Sequence, residues 1–288
     1  MYKDLNTYYK ERFGCKVYKL SLDGKMTCPN RDGRVGVGGC IFCSEKGSGE
    51  FSAPREADIE QQLINAKKRV EHKCKSGKYI PYFQAFSGTY APTEYLRKIY
   101  YKAIEPDFTV GLSVATRPDC LPEEVIELLS EINKKKPVFV ELGLQTVHDS
   151  TAEYINRGYK TEIYFDAVKR LKNVGIETVT HVILGLPFES EEMMLETVRQ
   201  AAAVSDGIKF HMLYVIKGTR LEEEYNKGVV PKMTLEEYGS LLKKSIAELP
   251  PDCVVHRLTG DGAREELIYP LWSLNKKKVL NYLKSVLQ

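Results

Sequence analysis

No apolar run in the 288 residues approaches the roughly 20 that a membrane helix needs, and the opening MYKDLNTYYKERFG has no apolar centre of the kind that marks a signal peptide. The chain is therefore expected to be cytoplasmic, with no membrane partner. Charge of one sign is also scarce. Lys and Arg number 42 against 39 Asp and Glu, and the formal net charge of +3 neither announces nor excludes a nucleic-acid partner. No low-complexity tract occurs, and no internal repeat beyond an alternation of strand and helix patterns. A disulfide framework is disfavoured as well, because seven cysteines, an odd number in a reducing compartment, are better explained by metal binding plus scattered core thiols.

What is present is enough apolar material for a large core, at 43% hydrophobic residues. Strand patterns at Lys16–Leu22, Tyr79–Phe86, Thr109–Ala115, Val138–Gln145, Glu177–Leu184 and Gly207–Tyr214 alternate with helical patterns at Asp58–Cys74, Thr93–Ile104, Pro122–Asn133, Thr161–Val174 and Ser190–Val204. Asp58 with Gln61, Pro122 before two acids and Ser190 before two acids are helix-start signals. Six βα units are too few for a closed eight-stranded barrel. The pattern predicts an α/β fold, a curved, open (β/α)6 partial barrel with its ligands at the C-terminal strand ends. Beyond Tyr214, Thr234 and Glu237 make a capping box for a helix to about Glu248, CVVHRL reads as a strand and Lys276–Leu287 as a last helix. Residues 1–215 are thus read as the barrel and 216–288 as a C-terminal α/β extension packed on it.

The segment TCPNRDGRVGVGGCIFCSEKG places Cys28, Cys40 and Cys43 on a glycine-rich loop directly after the first strand. Three thiolates can hold three irons of a [4Fe–4S] cube and leave the fourth open to a ligand. A structural zinc site with a fourth ligand from elsewhere is the alternative, with only one Cys-x2-Cys pair and no nearby His to support it. Cys15, Cys74, Cys120 and Cys253 lie apart from the loop and are expected to be buried core thiols.

The Cys-x-Phe-Cys tail with a third cysteine upstream, at the end of the first strand of a βα barrel, resembles the radical S-adenosylmethionine (SAM) superfamily. The eleven residues between Cys28 and Cys40 are a longer gap than most members have, and resemble the Elongator catalytic subunit family. The resemblance implies a [4Fe–4S] cluster and SAM as cofactors, cleaved reductively to a 5′-deoxyadenosyl radical with electrons from an external donor such as flavodoxin or ferredoxin. It also implies cofactor contacts. FQAFSGTYAP stands where such enzymes place the turn that binds the methionine amino group, which points to Ser87, Gly88 and Thr89. VELGLQTVHDSTAEYINRGYKT is similar to an Elongator signature, and more distantly to oxygen-independent coproporphyrinogen oxidases, where a Gln and an Arg at this separation contact the cofactor; here these are Gln145 and Arg157. In HVILGLPFES, His181 falls where Elongator has a His and the coproporphyrinogen enzymes an Asp. SVATRPD matches an Elongator run except that Ala115 stands where an acid is usual.

The likeness continues through IKFHMLYVIKGTRLEEEYNKGVVPKMTLEEY to CVVHRLTGDGA, roughly residues 16 to 265 in all, with no counterpart of Elongator's acetyltransferase domain in these 288 residues. Elongator modifies carbon 5 of the wobble uridine in tRNA. The resemblance therefore implies tRNA as substrate and remodelling of an existing 5-position side chain, such as carboxymethylaminomethyluridine to aminomethyluridine. Lys209, His211, Lys217, Arg257 and Asp261 are the substrate-side candidates, with Tyr214 and Tyr225 as stacking surfaces. Basic clusters at Lys67–Lys78 and Lys276–Lys278 are candidates for the RNA backbone. A radical enzyme acting on a small metabolite or porphyrin precursor, and a zinc-stabilised RNA-binding protein without turnover, remain the alternatives.

Overall fold

The computed structural model describes residues 2–288 except 48, 50, 51, 53, 54, 56, 74–76, 261 and 263. Its strands are β1 (Lys3–Asp4), β2 (Tyr18–Leu22), β3 (Tyr79–Phe83), β4 (Leu112–Thr116), β5 (Val138–Gln145), β6 (Glu177–Leu184), β7 (Gly207–Met212), β8 (Val215–Ile216), β9 (Val254–Arg257) and β10 (Leu267–Tyr269). Eight of them form one parallel sheet in the order β1-β9-β7-β6-β5-β4-β3-β2, and β8 pairs antiparallel with β10. The six barrel strands expected from the sequence form β2 to β7, and CVVHRL supplies β9 as expected. Two more lengthen the sheet, because β9, from the C-terminal extension, adds to β7 in parallel and β1 adds to β9.

The helices are α1 (Leu5–Phe13), α2 (Ile59–Val70), α3 (Thr93–Ile104), α4 (Glu123–Asn133), α5 (Asp149–Tyr154), α6 (Thr161–Asn173), α7 (Glu191–Val204), α8 (Arg220–Asn226), α9 (Leu235–Ala247) and α10 (Lys276–Val286). Side chains at the expected starts satisfy the first-turn amides: Asp58 accepts from Gln61 N at 2.9 Å and Ser190 from Met193 N at 3.2 Å. Thr234 and Glu237 close the expected capping box. In α2 the buried residues Ile59, Gln62, Leu63 and Ala66 follow the spacing of one helical face, which turns an apolar stripe onto the sheet. No described helix is long and apolar enough to cross a membrane.

The helices cover the outside of a curled half-barrel, and the main apolar core lies between them and the sheet. The inner face differs: one polar or charged side chain from each of β2 to β7 turns toward the barrel axis. The cysteine outside the loop that departs from expectation is Cys15, which is only half-buried beside a small cluster under α1, whereas Cys120 and Cys253 are buried as expected. Cys74 lies outside the described residues.

Candidate active site

The cysteine loop follows β2 and carries its three thiols into a cavity at the C-terminal ends of the strands. The loop is fixed from a distance. Asn30 Nδ2 donates to the Asn156 carbonyl at 2.6 Å, Asn156 Nδ2 returns to the Gly39 carbonyl at 2.8 Å, and Ile41 N donates to the Ile155 carbonyl at 3.0 Å. Gly158, with φ +79°, must lack a side chain because a Cβ there would sit 2.8 Å from Asn30 Oδ1. Arg31 ties the far end by donating to the Cys43 carbonyl at 3.2 Å and to the Ser44 carbonyl. The Cys40 thiol is pulled down to about 7 by its hydrogen bond with Cys43 and by the nearby Arg117 and Arg157, while the same bond and burial push Cys43 up. Buried cations beside thiols favour the thiolate, the form that binds iron, so the loop fits a cluster.

The turn after β3 forms the next wall. Phe86 holds φ +57°, a conformation side chains rarely adopt, and its N–H donates to the Gly47 carbonyl at 2.8 Å, which locks the turn to the cysteine loop. Ser87 follows, 1% exposed, and its hydroxyl has no hydrogen-bond partner among the described residues, although it lies close enough to the Cys120 thiol to influence it. An orphaned buried hydroxyl on the cavity wall suits the polar end of a cofactor such as SAM. Gly88 is required by packing, since a Cβ would stand 2.6 Å from the Ala115 carbonyl. Thr89 does not reach the cavity; its hydroxyl lies 2.6 Å from that of Thr116 and also donates to the Cys120 carbonyl, so it braces the turn from behind.

Gln145 and Arg157 both line the cavity. A bulge in the β5–β6 pairing falls between Gly143 and Gln145, and Gln145 is held at φ +65°. Arg157 is 1% exposed, and its guanidinium is taken up by the protein. Nη1 donates to the carbonyls of Leu144 (2.8 Å) and Thr146 (2.7 Å), Nη2 to Thr161 Oγ1 (2.9 Å) and the Tyr159 carbonyl (3.0 Å), and Nε to Tyr159 again (3.1 Å). Its visible work is to clamp the strand end that presents Gln145.

The floor of the cavity is a buried polar network that gathers His181 and Lys209 around an acid the motifs do not single out. Glu141, on β5 and 0% exposed, accepts from Ser113 of β4 (2.8 Å), Tyr82 of β3 (2.9 Å), His181 of β6 (2.7 Å), Lys209 of β7 (2.9 Å) and Lys19 of β2. Both ammonium groups also lie against the Tyr82 ring, at 4.8 Å for Lys19 and 4.9 Å for Lys209. Burial alone would raise the Glu141 carboxyl, but Lys19, Lys209 and His181 outweigh it and hold it well below the ordinary carboxylate range. Burial, reinforced by Lys209, pushes His181 down to about 4, so the ring is neutral. An ionised carboxylate only accepts, so His181 Nε2 carries the proton and Nδ1 remains an acceptor. Burial, with Lys19 and Arg257, lowers Lys209 to about 8.

Of the substrate-side candidates, Lys209, His211 and Arg257 meet on this floor. Lys217 does not: it is exposed on the β8 edge, where its N–H donates to the Glu266 carbonyl at 2.9 Å. Asp261 lies outside the described residues. Tyr214 lines the cavity, whereas Tyr225 stacks on Tyr269 at 5.5 Å, away from it. Glu141, Lys19 and Tyr82 were missed, yet a signal existed: strands of a parallel sheet covered on both faces should read as apolar runs, and Lys19 and Glu141 interrupt such runs.

Sequence comparison agrees with this geometry. The Radical SAM superfamily matches residues 31–201 and the Radical_SAM C-terminal domain residues 205–288. The YtqA protein of Bacillus subtilis is 45% identical over 288 residues, covering 100% of this chain and 89% of that protein. Elongator complex protein 3 of Drosophila melanogaster is 28% identical over 198 residues, 65% of this chain and 35% of its own length. The solved structure of the archaeal Methanocaldococcus infernus Elp3 with an N-terminal deletion superposes with a TM-score of 0.69 at 19% identity, over 93% of this chain and 63% of that one, which establishes the shared fold. The thiol loop, the half-barrel and these matches together place the chain in the radical SAM superfamily, as an enzyme whose cofactors are a [4Fe–4S] cluster and SAM.

Proposed function

We propose that this enzyme remodels the 5-position side chain of wobble uridine in tRNA, converting carboxymethylaminomethyluridine to aminomethyluridine. The observation that carries the reading is the convergence of Lys209, His211 and Arg257, all from the Elongator-like C-terminal segments, on the same cavity as the three thiols. When bound, cluster and SAM supply a 5′-deoxyadenosyl radical that takes a hydrogen atom from substrate. The chain itself holds and orients. Cys28, Cys40 and Cys43 are the iron ligands. Ser87, at the turn shaped by Gly88 and braced by Thr89, and Gln145, at the strand end clamped by Arg157, set the cofactor. His181 Nδ1 offers an acceptor for a ribose hydroxyl, and Tyr214 at the wall offers a face for the base. Hydrogen abstraction from the carbon between nitrogen and carboxylate suits this task, because both neighbours stabilise the resulting radical; loss of one further electron to the external redox partner and of the N–H proton gives an imine, which water hydrolyses to the aminomethyl group and glyoxylate. An external electron donor such as flavodoxin or ferredoxin is required to begin the cycle.

Mass spectrometry of tRNA nucleosides from cells with and without the gene tests the reading. The expected result is accumulation of carboxymethylaminomethyluridine and loss of aminomethyluridine-derived species. An unchanged nucleoside profile, together with anaerobic turnover on a free metabolite, would replace it with a small-molecule function.

A further inference from the structure

The cavity is lopsided in charge. Among the described residues its lining includes the cations Arg31, Arg117, Arg157, Lys209 and Arg257, but a single carboxylate, Glu141. Near the thiols the imbalance is met locally: Arg117 is forked onto Asp119 at 2.7 and 2.9 Å, and Arg31 and Arg157 are spent on carbonyls. At the floor the two ammonium groups of Lys19 and Lys209 draw on the one carboxylate of Glu141, Lys209 is only 8% exposed, and the Arg257 guanidinium, whose Nε donates to the Thr259 carbonyl, adds its charge beside Lys209. Lys209 and Arg257 sit opposite one another in the β7–β9 pairing, at the far side of the strand order from the β3 turn that bears Ser87. Beside them, His211 Nε2 is buried with no hydrogen-bond partner among the described residues, its ring 5.1 Å from that of His181. A surplus of cations, with Lys209 buried and Lys19 and Arg257 half-buried, beside an orphaned imidazole nitrogen defines a place for an anionic group with an acceptor oxygen.

We propose that the floor between β7 and β9 is a carboxylate subsite, where Lys209 and Arg257 hold the anionic end of the substrate's side chain, His211 Nε2–H donates to it, and Glu141 is the positioning residue that keeps the Lys209 ammonium directed across the cavity. The proposal deepens the side-chain remodelling reading and rests on it only for the identity of the molecule that carries the carboxylate. A carboxylate at the end of a short side chain can reach so enclosed a floor, whereas a phosphate in a polynucleotide backbone is too deeply embedded in its strand to do so. The low proton affinity of Lys209 is consistent: two neighbouring cations oppose its charge, and an arriving anion relieves that opposition.

Equilibrium dialysis of radiolabelled acetate against the anaerobically reconstituted, SAM-loaded holoenzyme tests the subsite, with acetamide as the neutral isostere and inorganic phosphate as the competing anion. One equivalent of acetate should bind at pH 7, acetamide should not compete, and affinity should fall as pH rises past 8. Lys209→Gln and Arg257→Gln should each weaken acetate at least tenfold while SAM affinity stays within twofold. Glu141→Gln, rescued in part by Glu141→Asp, should weaken acetate and flatten the pH dependence. Absence of acetate binding, equal binding by wild type and both cation variants, preference for phosphate, or parallel loss of SAM affinity would each overturn the proposal. Dialysis reads no tRNA chemistry, so the subsite and the wobble-uridine reading fail independently.

Discussion

Replacing Glu141 with Gln keeps the shape of the side chain and removes the charge that Lys19 and Lys209 share. The carboxylate is fully buried, while the Lys19 and Lys209 side chains keep 17% and 10% of their surface in contact with solvent. Breaking a buried ion pair at one partner costs about 3–5 kcal/mol, and the partial hydration of both lysines places this case at about 3. The amide also turns a donor either toward Tyr82, His181 and Lys209 or toward Ser113 and Lys19, all of which donated to the carboxylate. At about 2–4 °C per kcal/mol for a domain approaching this size, the melting temperature should drop by about 6–12 °C. Thermal unfolding followed by circular dichroism under anaerobic conditions, on preparations matched for iron content, measures it. Ser113→Ala is the control, since it removes a hydroxyl that donates to the carboxylate at 2.8 Å and accepts from Lys19 at 3.1 Å but strands no buried charge, and should cost less, about 1.5–2 kcal/mol. The double variant Glu141→Gln with Lys209→Met should lose less than the sum of the two single changes, because the second removes the charge the first stranded. A Glu141→Gln protein that melts within 2 °C of wild type, or strict additivity in the double variant, would show that the network is not held by this charge.

Cys28→Ala, Cys40→Ala and Cys43→Ala should each abolish cluster assembly, while Cys15→Ala and Cys253→Ala retain it; iron and sulfide analysis after reconstitution decides, and normal iron in any of the first three rejects the ligand set. Gln145→Ala should weaken SAM binding without changing the melting temperature, whereas Arg157→Ala should do both, because it also releases the carbonyls of Leu144, Thr146 and Tyr159; titration of SAM alongside thermal melts separates the two. Burial lowers His181 to about 4 and holds His211 and His256 well below the usual imidazole value, so the unfolded chain takes up protons first as pH falls. Stability is therefore complete above about pH 6.5 and lost below it, by about 4 kcal/mol between pH 7.5 and 5.5 for three such groups. Denaturant titrations at those two pH values that gave equal stability would contradict this.

The strands and long helices were legible because their signals are local. Alternation and apolar runs mark β2 to β7, and caps at Asp58, Ser190 and Thr234 mark helix starts. Helix α1 was not legible: LNTYYKERF carries no apolar stripe, buries only Tyr9 and depends on Asp4, which caps the amides of Asn6 and Thr7 at 2.9 and 3.0 Å. β1 and the β8–β10 pair are too short to show a period, and exist because neighbours distant in sequence offer them edges. In the site, the grouping of Cys28, Cys40 and Cys43 on one loop was readable from their spacing, but the bracing contacts of Asn156, Arg157 and Gly158 were not, since what they touch lies on other elements. Glu141 needed the sheet: a lone acid in a strand says nothing of its partners until the strands from β2 to β7 bring those partners around it.

The loop that carries the thiols is already held by residues 126 and 117 positions away in the chain, through Asn30 to Asn156 and Asn156 to Gly39. In a metal-nucleated domain the ion organises the peptide, so the two states are unfolded without it and folded with it. Here the protein supplies part of that organisation itself: Asn30, Asn156 and the Ile41–Ile155 bond fasten the ligand loop to the turn after α5 through contacts that involve no metal. The metal-free protein should consequently keep the secondary structure of the loaded one, survive purification in air after its cluster is lost, and accept a new cluster without refolding.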